Sequence, residues 1–488
     1  MNIPKPHAVL LASPGLGHII PVLELAKRFV SQHEFQVTVF VVATDASTVE
    51  SHLRNSPEYT TNLFNVVPLP CVNISALVDT DASLAEKIAV RMHESLPALR
   101  SAISAMKPRP TAMIVDFFGT EAMTTVADEF GMLKYMFIPS NAWFLATMIY
   151  GPAIDEIGLD EHANKKLPLK IPGCTAIRFE DTLEPFLDVK GPMFQGFLCA
   201  GMAISTADGY LVNTWEDLEP KTLAAFRDTK LLGRVAKVPV YPVGPLARPV
   251  GPPVQRSQML DWLDTKPSES IIYVSFGSGG SLSAKQMIEL AWGLELSQQS
   301  FVWVVRPPIK NDVYESYLAA GDDSDDHGVR EYLPDGFLSR THNVGLVVPM
   351  WAPQAEILGH PSVGGFLSHC GWNSTLESIV NGVPMIGWPL FAEQKMNATM
   401  LTEEIGVAIR WKASSLDGIV GREEIKMMIR RIMVDKEGHE MRSRVKEVKC
   451  SAEKALNNKG GSSYNSLSQV VEECEIRLQG LTAKARGS

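Results

Sequence analysis

The sequence predicts an α/β protein of two tandem domains, each a doubly wound parallel sheet, and three observations carry that expectation. At 488 residues the chain exceeds what one hydrophobic core ordinarily holds. Short apolar runs alternate with amphipathic stretches in two separate series, the pattern of strand and helix in a parallel sheet covered on both faces. Between the series lies a Pro/Gly-rich run that opens at Tyr241-Pro242-Val243-Gly244-Pro245 and ends near Gln255, the composition of a linker. The expected division is therefore 1–244, a linker 245–255, and a second domain 256–462, with a final helix at about 463–488 that can pack back on the first.

In the first series, His7 to Ser13 reads as a buried strand, Gly15-Leu16-Gly17 as a turn, Ile19 to Val30 as an amphipathic helix and Gln36 to Val42 as the next strand. A helix from Ser83 to Met106, a strand from Thr111 to Phe117, a helix around Glu121 to Phe130 and a strand from Leu133 to Ile138 continue the alternation. The second series starts with a strand at Ser270 to Phe276 and a helix from Ser283 to Leu296, opened by a Ser283-x-x-Gln286 capping box. Strands follow at Phe301 to Val305, Gly345 to Pro349, Val363 to Ser368 and Pro384 to Trp388. In sheets wound this way, ligands bind beyond the carboxyl ends of the strands.

Composition narrows the function. A formal charge of -10, from 55 acidic and 45 basic residues, argues against nucleic acid, which selects basic stripes. The six cysteines are scattered without Cys-x-x-Cys spacing, so neither zinc nor redox chemistry is indicated, and a reducing compartment is expected. The apolar run Ala8 to Ala12 is too short for a signal-peptide core, and no apolar stretch reaches the roughly 18 residues of a membrane span. A cytoplasmic, monomeric protein is the resulting expectation.

Two stretches carry chemistry. The strand Val363 to Ser368 runs into His369-Cys370-Gly371-Trp372-Asn373-Ser374, where a helix begins with free backbone N–H groups, an anion site by construction. His369, Asn373 and Ser374 add side-chain donors suited to a diphosphate, although Ser374-x-x-Glu377 equally spells the capping box of an ordinary helix. The other stretch is Ser13-Pro14-Gly15-Leu16-Gly17-His18, which brings an imidazole to a helix start beside the strand ends, where the dipole disfavours a cation. Asp116 ends a strand that a parallel sheet could set beside His18, or it simply caps the next helix. A dinucleotide-binding oxidoreductase is disfavoured, because Gly15-x-Gly17 and Gly277-x-Gly279 lack the third glycine and a convincing acidic partner.

From Trp351 to Gln394 the chain reads WAPQAEILGHPSVGGFLSHCGWNSTLESIVNGVPMIGWPLFAEQ, which resembles the signature of plant family-1 UDP-sugar glycosyltransferases almost throughout. The resemblance implies two Rossmann-like domains facing each other across a cleft, the GT-B arrangement, with the donor held by the C-terminal one. It implies that Trp351 stacks on uracil, Gln354 helps hold the nucleoside, and Glu377 takes the ribose hydroxyls. His369, Asn373 and Ser374 would hold the diphosphate, assisted by the turn containing Ser278. Trp372, Glu393 and Gln394 would hold the sugar, with Gln394 in the position associated with glucose. Glu393 departs from the family, many members of which carry Asp there, so the donor preference is less fixed than the donor class.

By the same resemblance His18 is the general base and Asp116 its orienting partner. A phenol, with a pKa of about 10, is a poor nucleophile until its proton is taken. Attack by the freed oxygen as UDP leaves from the opposite side gives inversion, with no metal and no cofactor beyond the co-substrate UDP-glucose. A divalent-metal spelling used by another glycosyltransferase class, Asp323-Ser324-Asp325, sits in the acidic segment Asn311 to His327, which reads as a solvated loop.

The likeness extends along the whole chain. Ile171-Pro172-Gly173-Cys174, Arg178-Phe179-Glu180-Asp181, the run Val212 to Pro220, Val238 to Pro242, Ser275 to Gly280 and Leu290 to Glu295 resemble the glucosyltransferases of coniferyl and sinapyl alcohols. A monolignol-like phenol is the expected acceptor, with Phe117, Phe118, Trp143, Phe144 and Phe391 as candidate walls. Flavonoids, attachment to an aromatic carbon, and an inactive UDP-sugar-binding protein remain alternatives. The last would need the donor site but not the His18 and Asp116 pair.

Overall fold

The computed structural model describes residues 5–42, 63–79, 82–154, 156–248, 258–308, 328–411 and 418–487. Residues 249–255 of the linker and the acidic segment Asn311 to His327 fall outside them. The chain forms two compact units, Met1–Ala247 with Ala452–Ser488, and Arg248–Ser451.

The first unit is built on a parallel sheet of seven strands among the described residues. They are β1 (His7–Ala12), β2 (Gln36–Val42), β3 (Phe64–Leu69), β4 (Ala112–Asp116), β5 (Leu133–Ile138), β6 (Gly209–Val212) and β7 (Val240–Pro242). Their order is β3-β2-β1-β4-β5-β6-β7, so the winding reverses between β1 and β4. β1 and β4 are wholly buried, as continuous apolar strands covered on both faces must be. β3, β6 and β7 lie outside the strands expected from sequence: β6 and β7 are only four and three residues long, too short for a periodic signal.

Gly15-Leu16-Gly17 is not a free turn. The helix begins at Leu16 and runs to His33, with the His18 and Ile19 amides both bonded to the Gly15 carbonyl. Gly15 takes φ 100°, open to glycine, and this lets the chain leave β1 and enter the helix at once. The helix Ser462–Gly487 belongs to this unit and buries Leu467, Val470, Val471 and Cys474 in its core. Its Glu473 carboxylate accepts from the hydroxyls of Tyr135 and Tyr241 on β5 and β7. Burial pushes both phenols well above their ordinary range, so they stay protonated donors.

The second unit holds six parallel strands among the described residues: β8 (Ile271–Ser275), β9 (Ser300–Val305), β10 (Gly345–Pro349), β11 (Val363–Ser368), β12 (Met385–Gly387) and β13 (Ala408–Arg410). The order β10-β9-β8-β11-β12-β13 reverses between β8 and β11. Both units are therefore Rossmann-like doubly wound sheets, each with a switch point between its first and fourth strand. The Ser283 hydroxyl caps the helix Ala284–Ser297, but only half of the expected capping box forms. The Gln286 side chain instead exchanges two hydrogen bonds with the backbone of Val420, tying this helix to the start of the helix Arg422–Met433.

Candidate active site

At the switch point of the first unit, β1 and β4 lie side by side in register, Leu11 opposite Val115, so the residues just past them meet. His18 Nδ1 stands 3.1 Å from Asp116 Oδ2. Asp116 is fully buried and accepts four hydrogen bonds. Ser13 N–H (2.9 Å) joins His18 on Oδ2, and the Ser13 hydroxyl and Phe118 N–H (3.2 Å) reach Oδ1. These donors satisfy both oxygens of a carboxylate that has no access to water. The imidazole packs against the paired rings of Phe117 and Phe118, each centroid 5.6 Å from it and 4.1 Å from the other, and Phe144 follows at 5.5 Å from Phe117. Phe117 and Phe118 are partly exposed, whereas Trp143 is wholly buried and serves as core. Trp143 and Phe144 ride on the helix Ala142–Tyr150, whose first amides are capped by the Glu219 carboxylate and by Asn141.

At the switch point of the second unit, β8 and β11 end in register at Ser275 and Ser368, and the chain runs on from them into Phe276-Gly277-Ser278 and into His369. Two glycines make room for the Nε2 edge of the His369 imidazole. A Cβ on Gly277 would lie 2.5 Å from its ring, and one on Gly371 would lie 2.4 Å from it. Burial lowers its pKa to about 4, so the ring is neutral near pH 7, and Nδ1 is buried without a hydrogen-bond partner. The helix Trp372–Asn381 starts directly after Gly371 with no side chain capping it. Ser374 and Glu377 thus sit inside the helix and do not form the capping box. They turn instead to Gln354, whose Nε2 donates to Ser374 Oγ (2.9 Å) and Glu377 Oε2 (2.8 Å).

The other candidates stand in the segments that follow β8, β10, β11 and β12. Trp351 is 41% exposed, the exception among large side chains of a donor signature that is otherwise half-buried or buried. Trp372 is buried, and Asn373 half-buried, in the first turn. Gln394 is buried, and its Oε1 accepts from the amides of Leu390 (2.8 Å) and Phe391 (3.1 Å), which fixes the amide group and leaves Nε2 to donate. Glu393 is half-buried at the N-cap of the helix Gln394–Thr399, and Phe391 is half-buried beside it. The Ser278 carbonyl accepts from Arg306. Three non-glycine residues hold left-handed backbone here: Met350 before Trp351, Cys370 after His369 and Ala392 before Glu393. Such backbone costs about 1–3 kcal/mol per residue and collects where a site dictates geometry.

Over its full length and that of the relative, the chain is 52% identical to UDP-glycosyltransferase 72E1 of Arabidopsis thaliana. It is 55% identical to anthocyanidin 3-O-glucosyltransferase 5 of Manihot esculenta, covering 96% of each chain. The chain belongs to the plant family-1 UDP-glycosyltransferases. The enzyme matches the family model for UDP-glucoronosyl and UDP-glucosyl transferases over residues 246–437. It also superposes on the crystal structure of TcCGT1 in complex with UDP, with a TM-score of 0.89 and 47% identity over 97% of this chain and 100% of the other. A UDP-sugar is accordingly the enzyme's co-substrate.

Among the described residues of the enzyme, no group of three or more His, Cys, Asp or Glu side chains could hold a metal ion, and no helix is long and apolar enough to cross a membrane. The sequence alone assigned no role to the Ser13 side chain, to Gly371 beside His369, or to Arg248, whose Nε lies 3.7 Å from Glu377 Oε1. Ser13 carried one usable signal: it directly follows the strand that neighbours the strand ending in Asp116. The Arg248 contact spans more than a hundred residues and has no local signature.

Proposed function

We propose that the enzyme transfers glucose from UDP-glucose to the phenolic hydroxyl of a small phenylpropanoid such as a monolignol, with inversion and without metal. The His18 and Asp116 pair at 3.1 Å, set among Phe117, Phe118 and Phe144, carries this reading. With Nδ1–H given to Asp116, Nε2 is free to take the phenol proton as the oxygen bonds to the anomeric carbon and the bond to UDP breaks. The carboxylate then stabilises the imidazolium, and the proton passes to solvent. The aromatic corner suits a flat ring.

In the second unit, Trp351 and Gln354 take the nucleoside and Glu377 the ribose. His369, Asn373, Ser374 and the Ser278 turn take the diphosphate, whose growing charge the helix start meets. Trp372, Glu393 and Gln394 take the sugar. Glucose is favoured by Gln394, whose amide orientation is fixed by two backbone donors. The name of the Manihot relative supports a flavonoid as second acceptor class and oxygen as the attachment atom. The free cysteines among the described residues are in keeping with a monomer working in the reducing cytosol.

Incubation with UDP-glucose and a panel of monolignols, hydroquinone and flavonoids, followed by mass analysis and acid hydrolysis, tests the reading. An acid-labile monoglucoside of a monolignol is expected. Acid-stable products would mean carbon linkage, and absence of any hexosylated product would leave a UDP-sugar-binding protein. His18→Ala is expected to lose nearly all turnover while keeping affinity for UDP.

A further inference from the structure

Ser13 directly follows β1 at the winding reversal, wholly buried, with its hydroxyl and its amide both given to Asp116. We propose that Ser13 is a positioning residue for glycosyl transfer. It pins the Asp116 carboxylate so that Oδ2 stays on His18 Nδ1 and the imidazole keeps its Nε2 face unprotonated. The inference rests on the reading of His18 as general base.

Each carboxylate oxygen of Asp116 receives two donors, and Ser13 supplies one of the two on both. The amides of Ser13 and Phe118 are given by the backbone, whatever the side chains. The Ser13 hydroxyl is therefore the one donor besides His18 itself that the choice of side chain decides. It lies at a site with no exposed surface, so bulk water does not replace it when it is removed. Without it, Oδ1 keeps only the Phe118 amide at 3.2 Å, and the carboxylate can rotate to satisfy that oxygen elsewhere. His18 Nδ1 then loses the acceptor that selects its tautomer, and a ring protonated on Nε2 cannot take a proton from the acceptor.

The test compares Ser13→Ala and His18→Ala in the full chain with UDP-glucose and two acceptors, a simple phenol protonated at the assay pH and a nitrophenol already ionised there. Ser13→Ala is expected to lower kcat for the protonated phenol by about ten- to a hundredfold, the worth of one hydrogen bond to a charged group. The KM for UDP-glucose and UDP affinity by calorimetry stay unchanged, and the deficit largely disappears with the ionised acceptor, which needs no base. Wild-type kcat with both acceptors overturns the proposal, as does an equal loss with both, the mark of a merely structural hydroxyl. Wild-type kcat in His18→Ala with the protonated phenol overturns the base reading itself. If Ser13→Ala is not recovered folded, Ser13→Cys, close in volume and a weak donor, goes through the same comparison, with a smaller loss confined to the protonated phenol expected.

Discussion

A single methyl group added beside His369 tests whether the imidazole is held by shape. In Gly371→Ala the new Cβ falls 2.4 Å from Nε2 and 3.1 Å from Cδ2, where ordinary contacts are about 3.5 Å or more, so the ring has to yield by about 1 Å. It cannot slide freely, because Gly277 already stands at its ring. Overpacking of this kind costs about 1–3 kcal/mol, and each kcal/mol lowers the melting temperature of a unit this size by about 2–4 °C. Gly371 has φ -60°, which alanine accepts, so its penalty is purely steric. Gly277 has φ 76°, and Gly277→Ala adds about 1–2 kcal/mol for left-handed backbone, making it the more damaging change. On the proposed role of His369 in holding the diphosphate, a displaced ring forfeits a hydrogen bond to a charged group, and the dissociation constant for UDP should rise by about tenfold or more. Thermal melts and calorimetric titration of UDP measure both effects, and a cycle with His369→Ala isolates the clash. Wild-type melting and UDP affinity in Gly371→Ala would refute the argument, as would a penalty that persists once the ring is gone.

Acid should weaken the fold before catalysis is considered. Burial holds the His7 pKa at about 4 against 6.5 for the unfolded chain, so the neutral ring's stabilisation is complete above pH 6.5 and is lost as pH falls towards 4. That gap is worth about 3 kcal/mol, and urea titrations between pH 4 and 7 read it; a flat profile would count against it. Glu473→Ala strands the hydroxyls of buried Tyr135 and Tyr241, at a cost of about 1–3 kcal/mol each, and should lower the melting temperature of the first unit. Tyr241→Phe, which removes donor and demand together, should cost less. Gln394→Glu keeps the acceptor for the Leu390 and Phe391 amides but removes the Nε2 donor, so folding and UDP affinity should persist while UDP-glucose turnover falls.

Much of the scaffold was legible because its signal is local. Gln36–Val42, Leu133–Ile138, Gly345–Pro349 and Val363–Ser368 are strands with the bounds read from apolar runs between breakers. The helix Leu84–Ala105 is capped by the Ser83 hydroxyl that spelled its start. The short strands β6, β7 and β13 were not legible, since three or four residues carry no period and pair only because a longer neighbour offers an edge. The capping boxes misled for a related reason. Ser374-x-x-Glu377 and Gln286 have the right local spelling, but Gln354 and the Val420 backbone compete for those side chains from far along the chain.

By itself the sequence determined the alternation of strand and helix, the parallel winding in two series, and which residue types stand at the strand ends, because backbone propensity and apolar periodicity act over a few residues. The tertiary structure alone decided which of those residues act on one another. It brought Ser13 and His18 to Asp116 across about a hundred positions, set Gly277 and Gly371 at the Nε2 edge of His369, and withdrew Trp143 into the core. The physical reason is that hydrogen bonds, steric exclusion and burial depend on distance in space, and only the order in which strands pair converts distance along the chain into distance in space.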